Sequence, residues 1–187
     1  SSDVCSSDLE EAVLKQVLHL SEWPDVTLAQ FDPSFLKVPA PVPISEMVEH
    51  QKYFPLEDDK GKLAPYFLIT ADNEVNDLII KGNEKVLSAR LADGSFLYEQ
   101  DLKMPLESFN DTLKNMTFQR GLGSVYDKVL RIQKITSLLQ KELQIGDASL
   151  AQRAALLCKA DLASELVGEF PDLQGCVGKR SEEHTSE

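Results

Sequence analysis

The side chains of this sequence that could do chemistry include a run of cations in the middle of the chain, Lys81, Lys85 and Arg90. Cations of this kind can bind phosphate oxygens, and they position a nucleic acid without reading its sequence. The alternative is a solvated helix face, whose intrahelical ion pairs contribute only tenths of a kcal/mol each. On these residues alone, the solvated face is the favoured interpretation.

A second group lies in the segment Ala154–Asp161, which resembles the helix of HD-type phosphohydrolases. In those enzymes a His-Asp pair follows an apolar run and binds a metal ion. Here Cys158 and Lys159 stand at that position, and a shift by two gives Ala160 and Asp161, so both registers lack the imidazole. We therefore expect neither a metal site nor a catalytic residue. Asp161 is expected to pair with a cation or a helix terminus.

Other catalytic signatures are missing from the sequence. It contains no phosphate-binding loop, no dinucleotide fingerprint and no nucleophile elbow, and Gly121–Gly123 is interpreted as a helix connection. His19 and His50 have no ligand partner at short spacing, and both are expected to be structural.

Composition limits the class of protein. The 187 residues are 42% hydrophobic and 27% charged, which is typical of a globular chain with one large or two small domains. The net charge of −12 argues against a protein that coats nucleic acid, but it leaves room for a local basic face. Cys5, Cys158 and Cys176 have no paired spacing, which favours a reducing cytoplasm.

Several elements are predicted before Leu102. Apolar spacing predicts a helix over Glu10–Leu20, and Val26–Phe31 is either a short strand or a turn. Alternate prolines predict an extended segment over Val38–Pro43, followed by a helical turn or two from Ile44 to His50. The aromatic runs on either side of an Asp-Lys-Gly turn predict a β-hairpin, with arms Gln51–Leu56 and Pro65–Thr70.

The next predicted helix is capped by Asn83 and runs to about Tyr98. The apolar side chains that it should direct inward are Val86, Leu87, Leu91 and Leu97.

From Leu102 onward the pattern is helical throughout. A helix beginning at Pro105 is broken by the two glycines at 121 and 123, and Ser124 with Asp127 resembles a capping box. That second helix carries apolar residues as far as Leu143 and closes at Gly146, and Asp147 or Ser149 opens a last helix that runs beyond Leu166. The apolar residues assigned to the second helix are Val125, Val129, Ile132, Ile135, Leu139 and Leu143.

The fold class predicted is α+β. A mixed α/β part with a β-hairpin covers residues 10–102, and an all-helical, HD-like part covers 103–178 and is expected to be truncated. Residues 1–9 and 179–187 are polar, lack periodicity and are similar to translated sequencing adapters. They are interpreted as non-native tails around an internal fragment.

Five segments in register carry a resemblance to the beta subunits of bacterial glycyl-tRNA synthetase. They are similar to the motifs HQKYFPL, GKLLPYF, GNERVLRARLAD, FQxxLGTLYDKV and KADLVTEMVGEFPELQG of that family. The matching segments are His50–Leu56, Gly61–Phe67, Gly82–Asp93, Phe118–Val129 and Lys159–Gly175. Gly94, Ser95 and Cys176 depart from the family's usual residues without weakening the resemblance.

The resemblance implies a heterotetramer of two alpha and two beta chains that attaches glycine to tRNA(Gly) using ATP. It implies that alpha carries the aminoacylation site, with ATP and Mg, and that beta mainly binds tRNA. It further implies an editing-module-like region before the HD-like domain. This segment is then expected to bind no cofactor and to be inactive alone.

With the resemblance, the candidate tRNA contacts are six cations. They are Lys81, Lys85, Arg90, Lys103, Arg120 and Lys128. Two other interpretations stay open at this point: a degenerate HD-type metal phosphohydrolase and a stand-alone RNA-binding module.

Overall fold

The computed structural model describes residues 7–72 and 74–179, with side chains from residue 13 onward. The chain forms two compact units, Ser1–Leu97 and Tyr98–Glu187. The predicted tails lie outside the described residues at positions 1–6 and 180–187, whereas Ser7 already begins a helix. None of the helices within the described ranges is both long and apolar enough to cross a lipid bilayer.

The first unit is an α+β arrangement, as predicted. Its helices are α1 (Ser7–Leu20), α2 (Pro41–Ser45) and α3 (Asp77–Asp101), the last of which continues into the second unit. Short 3-10 and π turns cover Pro33–Lys37 and Glu46–His50. Its strands are β1 (Asp25–Gln30), β2 (Phe54–Glu57) and β3 (Leu63–Ala71).

The predicted β-hairpin is confirmed, because β2 and β3 pair antiparallel with Phe54 opposite Leu68. The carboxylate of Asp58 stabilises its turn by accepting the backbone N–H groups of Lys60 and Lys62 at 2.8 and 3.0 Å. The segment Val26–Phe31, for which the sequence allowed either a short strand or a turn, belongs largely to strand β1. This strand pairs with the other edge of β3. The sheet order is therefore β1-β3-β2.

The core of this unit lies between the sheet and α3. Phe67 is fully buried and its ring lies 5.0 Å from that of Tyr53, in a stacked arrangement. Tyr53 also donates a hydrogen bond of 2.5 Å to Oδ1 of Asn83, and burial raises the pKa of its phenol. The aromatic residues of the HQKYFPL and GKLLPYF segments thus contribute to the core.

Three predictions for the first unit are wrong in detail. The segment Val38–Pro43 is not extended throughout, because α2 begins at Pro41. The first N–H groups of a helix have no acceptor within the helix, so proline, which lacks an N–H, is favourable at this position. Asn83 does not cap α3; the carboxamide of Asn76 does, accepting the N–H groups of Leu78 and Ile79 at 3.0 and 3.1 Å. Val86 points outward with 48% of its surface exposed, while Leu87 and Leu91 are buried as predicted.

The second unit is mostly helical. Its α-helices are α4 (Phe109–Leu113), α5 (Val125–Leu143), α6 (Ala148–Leu157) and α7 (Glu165–Glu169). Short 3-10 turns cover Leu106–Ser108, Ala160–Ala163 and Pro171–Leu173. It is not all-helical as predicted, because a hairpin of β4 (Thr117–Gln119) and β5 (Gly123–Ser124) precedes α5.

The glycines at 121 and 123 explain that difference. Both have positive φ, +84° and +81°; Gly121 lies in the turn of a β-hairpin and Gly123 begins its second strand, so the segment is not a connection between helices. A Cβ added at Gly123 would collide with the carboxylate of Asp127, which lies against the backbone there. Sequence spacing locates such glycines but does not distinguish a helix break from a tight hairpin.

The ends of the later helices also differ from the prediction. α5 ends at Leu143, and its C-cap is Gln144, which adopts the left-handed conformation at φ +51°, two residues before the expected Gly146. Of the two residues predicted to begin the next helix, Asp147 and Ser149, it is Asp147 that caps α6. The expected long last helix instead stops at Leu157 and is followed by a 3-10 turn and α7.

The apolar stripe of α5 is buried only at its start. Val125 and Val129 belong to the core, whereas Ile135, Leu139 and Leu143 each expose more than half of their surface. α6 packs on a polar flank of α5, where Gln133 and Gln152 exchange hydrogen bonds with each other's backbone. A periodic apolar pattern predicts a helix, but burial also needs a neighbouring element on that side.

The predicted capping box at the start of α5 is confirmed. The hydroxyl of Ser124 accepts the N–H of Asp127 at 3.1 Å, and the Asp127 carboxylate accepts the N–H of Ser124 at 2.7 Å. That backbone hydrogen bond is the main reason why the pKa of Asp127 lies below the ordinary value of 3.8, and the Ser124 hydroxyl and nearby Arg131 add to it.

Acid is expected to loosen the start of α5. Because the folded pKa of Asp127 is lowered, its stabilising contribution is complete above pH 3.8 and is lost as the pH falls through the folded value. Asp127→Asn should therefore lower the thermal unfolding midpoint at neutral pH more than at pH values below the folded pKa. Asp172→Asn, at an exposed site, is the matched control; an equal effect of Asp127→Asn at all pH values would contradict the prediction.

Candidate nucleic-acid interface

An open groove of about 620 Å³ lies in the first unit, between the end of the sheet and the first half of α3. It brings together two of the predicted cations and an aromatic ring. The lining residues are Gln30, Phe31, Asp32, Pro33, Pro65, Tyr66, Lys81, Glu84, Lys85 and Ser88.

The cationic side of the groove is one face of α3. Lys81 and Lys85 are one helical turn apart and Ser88 follows at the next, so all three lie on the same face. Both lysines are exposed. The helix is anchored beside them, since Oε1 of Glu84 accepts the backbone N–H of Gln30 at 2.9 Å. The position of this part of α3 relative to the sheet is therefore set by a specific contact.

The aromatic side of the groove is Tyr66. Tyr66 lines the groove from β3, whereas its neighbours Phe67 and Ile69 are buried in the core. Its ring is 43% exposed. An exposed aromatic ring beside cations is a surface on which a nucleobase can stack.

The groove also contains two carboxylates, Asp32 and Glu84. Asp32 accepts the N–H of Ser34 at 2.8 Å, and this backbone hydrogen bond is the largest cause of its lowered pKa. Two lysines and two carboxylates therefore line the groove, and the formal charges of these four side chains cancel. Such a mixed surface suits a ribonucleotide, whose phosphate is anionic and whose ribose hydroxyls donate to carboxylates.

The other predicted cations do not join this groove. Arg90 is exposed and lies about half a helical turn around α3 from Lys81, given about 100° per residue. Lys103 follows α3, and its ammonium donates to Gln100 at 3.0 Å. Arg120 lines a second open groove of about 500 Å³ beside the β4–β5 hairpin. Lys128 lies on α5, over the ring of Phe118.

The polar residues around the candidate lysines serve the fold. Asn83 bonds Tyr53, as described above, and its amide donates to the carbonyl of Ile79 at 2.8 Å. The carboxylate of Asp101 accepts the first N–H groups of α7, from Glu165 at 3.0 Å and Leu166 at 2.9 Å. Anions are favourable at a helix N-terminus, so Asp101 stabilises α7.

The segment similar to an HD motif is not one continuous helix. α6 stops before Cys158, and Asp161 is 1% exposed in the following 3-10 turn. Oδ2 of Asp161 accepts the N–H of Gly175 at 2.5 Å and that of Gly178 at 3.4 Å. The carboxylate thus binds backbone N–H groups at the start of a last helical turn, which confirms the expected pairing with a helix terminus. Within the described ranges, no three His, Cys, Asp or Glu side chains are grouped so as to hold a metal ion.

Sequence reasoning missed two exposed aromatic residues, Tyr66 and Phe118. The aromatic run that predicts the second arm of the hairpin does not distinguish Tyr66 from Phe67, although strict alternation places the two side chains on opposite faces. Phe118 lies on a strand of three residues that the helical interpretation of this region did not include. A short hairpin leaves little periodicity from which to read a face.

Comparison with known proteins identifies the family. The model of the glycyl-tRNA synthetase beta subunit family matches residues 2–187, so the chain belongs to that family. This agrees with the resemblance read from the five motifs.

Individual relatives carry the same description. The chain is 47% identical over 175 residues to the glycine–tRNA ligase beta subunit of Stutzerimonas stutzeri, covering 92% of this chain and 25% of the relative. It is 46% identical over 177 residues to that of Acaryochloris marina, with the same two coverages. The chain therefore spans about a quarter of the length of the curated relatives it matches.

Proposed function

We propose that this chain is part of the beta subunit of a glycine–tRNA ligase, which attaches glycine to tRNA(Gly) with ATP. The observation that carries the proposal is the family match over residues 2–187. In this proposal beta mainly binds tRNA and an alpha subunit carries the aminoacylation site together with ATP and Mg. The partners are the alpha subunit and tRNA(Gly), in a heterotetramer of two alpha and two beta chains.

Two finer statements belong to the same proposal. The second unit is an HD-like domain without metal chemistry, a view supported by the engagement of Asp161 with backbone N–H groups. The protein works in the cytoplasm, a view supported by the free thiol of Cys158.

The proposed tRNA contact in the first unit is the groove of α3 and β3. Lys81 and Lys85 bind phosphate oxygens of the RNA backbone, and Tyr66 stacks on an accessible base. Asp32 and Glu84 lie where they can accept ribose hydroxyls, which favours RNA over DNA. The surface positions tRNA without reading its sequence, because phosphate and ribose contacts carry no base information.

Removal of both lysines is expected to weaken tRNA binding. The double variant Lys81→Gln, Lys85→Gln should lower affinity by roughly tenfold or more at about 0.1 M salt, because each phosphate contact contributes about 0.9 to the slope of log K against log salt. The slope itself should fall by about 2. The measurement is fluorescence anisotropy of labelled tRNA(Gly) with the full 187-residue chain over a salt series.

Arg90→Gln is the matched control, since it removes an exposed cation from another side of the same helix. It should leave both affinity and salt slope nearly unchanged. Equal losses in Arg90→Gln and in the double variant would contradict a specific groove. Formation of glycyl-tRNA by this chain without an alpha subunit would contradict the proposed division of labour.

A further inference from the structure

The β4–β5 hairpin of the second unit presents an aromatic ring together with a cation. Phe118 is 39% exposed, and Nζ of Lys128 lies 4.0 Å from the centroid of its ring. Leu122, at the turn of the same hairpin, is 47% exposed. Phe118 is not a member of the two described clusters of buried residues that contain Leu106 and Leu113.

The hairpin is held in place by hydrogen bonds at both ends. The N–H of Val125 donates to the carbonyl of Met116 at 2.8 Å, which closes the base of the hairpin where α5 begins. At the turn, Nη1 of Arg131 donates to the carbonyl of Leu122 at 3.0 Å. A ring on such a fixed support can receive a ligand with little ordering of the protein, which favours binding.

We propose that this hairpin binds one unpaired nucleotide of RNA, a contact that rests on the proposed RNA-binding function of the chain. The base stacks on the exposed part of the Phe118 ring, and the ammonium of Lys128 binds the adjoining phosphate. A duplex does not fit this contact, because its base faces are already stacked on one another. The hairpin thus selects single-stranded parts of an RNA.

The ammonium of Lys128 favours RNA over a protein as the partner of this hairpin. An apolar protein surface placed over Phe118 would also cover the ammonium of Lys128 and remove its water without supplying a counter-charge. A nucleotide supplies a flat ring and an anion a few ångströms apart, which matches the two groups of the hairpin.

The test compares Phe118→Leu, which keeps the apolar bulk but loses the ring, with Phe118→Trp, which keeps a ring. The probes are a labelled short oligouridylate and a blunt RNA duplex of equal nucleotide number, bound by the full 187-residue chain. Phe118→Leu should weaken binding of the oligouridylate by roughly tenfold, as base–aromatic stacking predicts, and leave the duplex within about twofold. Phe118→Trp should retain wild-type affinity, and Leu122→Ala, on the same hairpin, should change neither probe.

Each outcome has a definite meaning. Equal affinity of wild type and Phe118→Leu for the oligouridylate, or equal losses with both probes, overturns the hairpin proposal. The proposed contact of the α3 and β3 groove does not depend on that result, because it is tested by tRNA binding of the double variant at Lys81 and Lys85. If the wild-type chain binds neither oligouridylate, duplex nor tRNA(Gly), the proposed function and the hairpin contact are both wrong. Unchanged circular dichroism and unfolding midpoints show that each variant is folded.

Discussion

Phe67→Ala is expected to destabilise the first unit by roughly 3 to 5 kcal/mol, the usual cost of removing a buried phenylalanine. Phe67 is fully buried, on the central strand of the sheet, and its ring lies 5.0 Å from that of Tyr53 and 6.4 Å from that of Phe31. The substitution removes apolar contacts with both rings and leaves a cavity between the sheet and α3. Because typical domains have only about 5 to 15 kcal/mol of stability, much of this unit should unfold at moderate urea.

Tyr66→Ala is the matched control, since it removes an aromatic ring from the neighbouring position on the opposite face of β3. At 43% exposure its loss should be much smaller, within about 1 kcal/mol. The measurement is amide hydrogen exchange of the β3 backbone over a urea series, which reports this unit specifically. Similar losses of exchange protection in the two variants would contradict the assignment of Phe67 to the core.

Asp161→Ala is expected to destabilise the second unit by about 2 to 3 kcal/mol. A hydrogen bond to a charged group contributes about 1.5 to 3 kcal/mol, and the Asp161 carboxylate accepts the N–H groups of both Gly175 and Gly178. The carboxylate approaches Gly178 so closely that a Cβ there would lie 3.2 Å from the carboxyl carbon of Asp161. Loss of the carboxylate should therefore release the last helical turn first.

Hydrogen exchange at the amides of Gly175 and Gly178 measures this effect directly. Asp172→Ala, which removes an exposed carboxylate from the same unit, should leave their protection unchanged. A manganese titration of the wild type and of Asp161→Ala separates the structural role from the phosphohydrolase alternative. Manganese binding that disappears with Asp161 would revive that alternative, and unaltered protection at both amides would contradict the structural role.

The two predictions also separate the fold from the proposed function. Phe67 and Asp161 are buried and hold each unit together, whereas the groups proposed to touch RNA, such as Lys81 and Tyr66, are exposed. Variants at the exposed positions should change RNA binding without a comparable change in stability. The proposed binding surfaces can therefore be tested without loss of the fold.

Elements whose signals are local could be predicted from the amino-acid sequence. The turn after Asp58 and the capping box of Ser124 and Asp127 each depend on side chains that bind backbone groups a few residues away, so their spacing is visible in the sequence. The same is true of Leu87 and Leu91, which lie one turn apart on the inward face of α3. The family, too, followed from short motifs in register.

Which residues share a site depends on tertiary contacts that the sequence pattern does not show. Lys81 lines one groove with Lys85 and Tyr66, but Arg90, similar in charge and close in sequence, does not. The apolar residues along α5 predict a buried helix face, but Leu139 is exposed because α6 packs on another side of α5. Burial and the assembly of a site depend on which distant segments of the chain pack together. Hydrogen bonds such as that from Gln30 to Glu84 join residues far apart in the sequence, and local sequence patterns do not predict them.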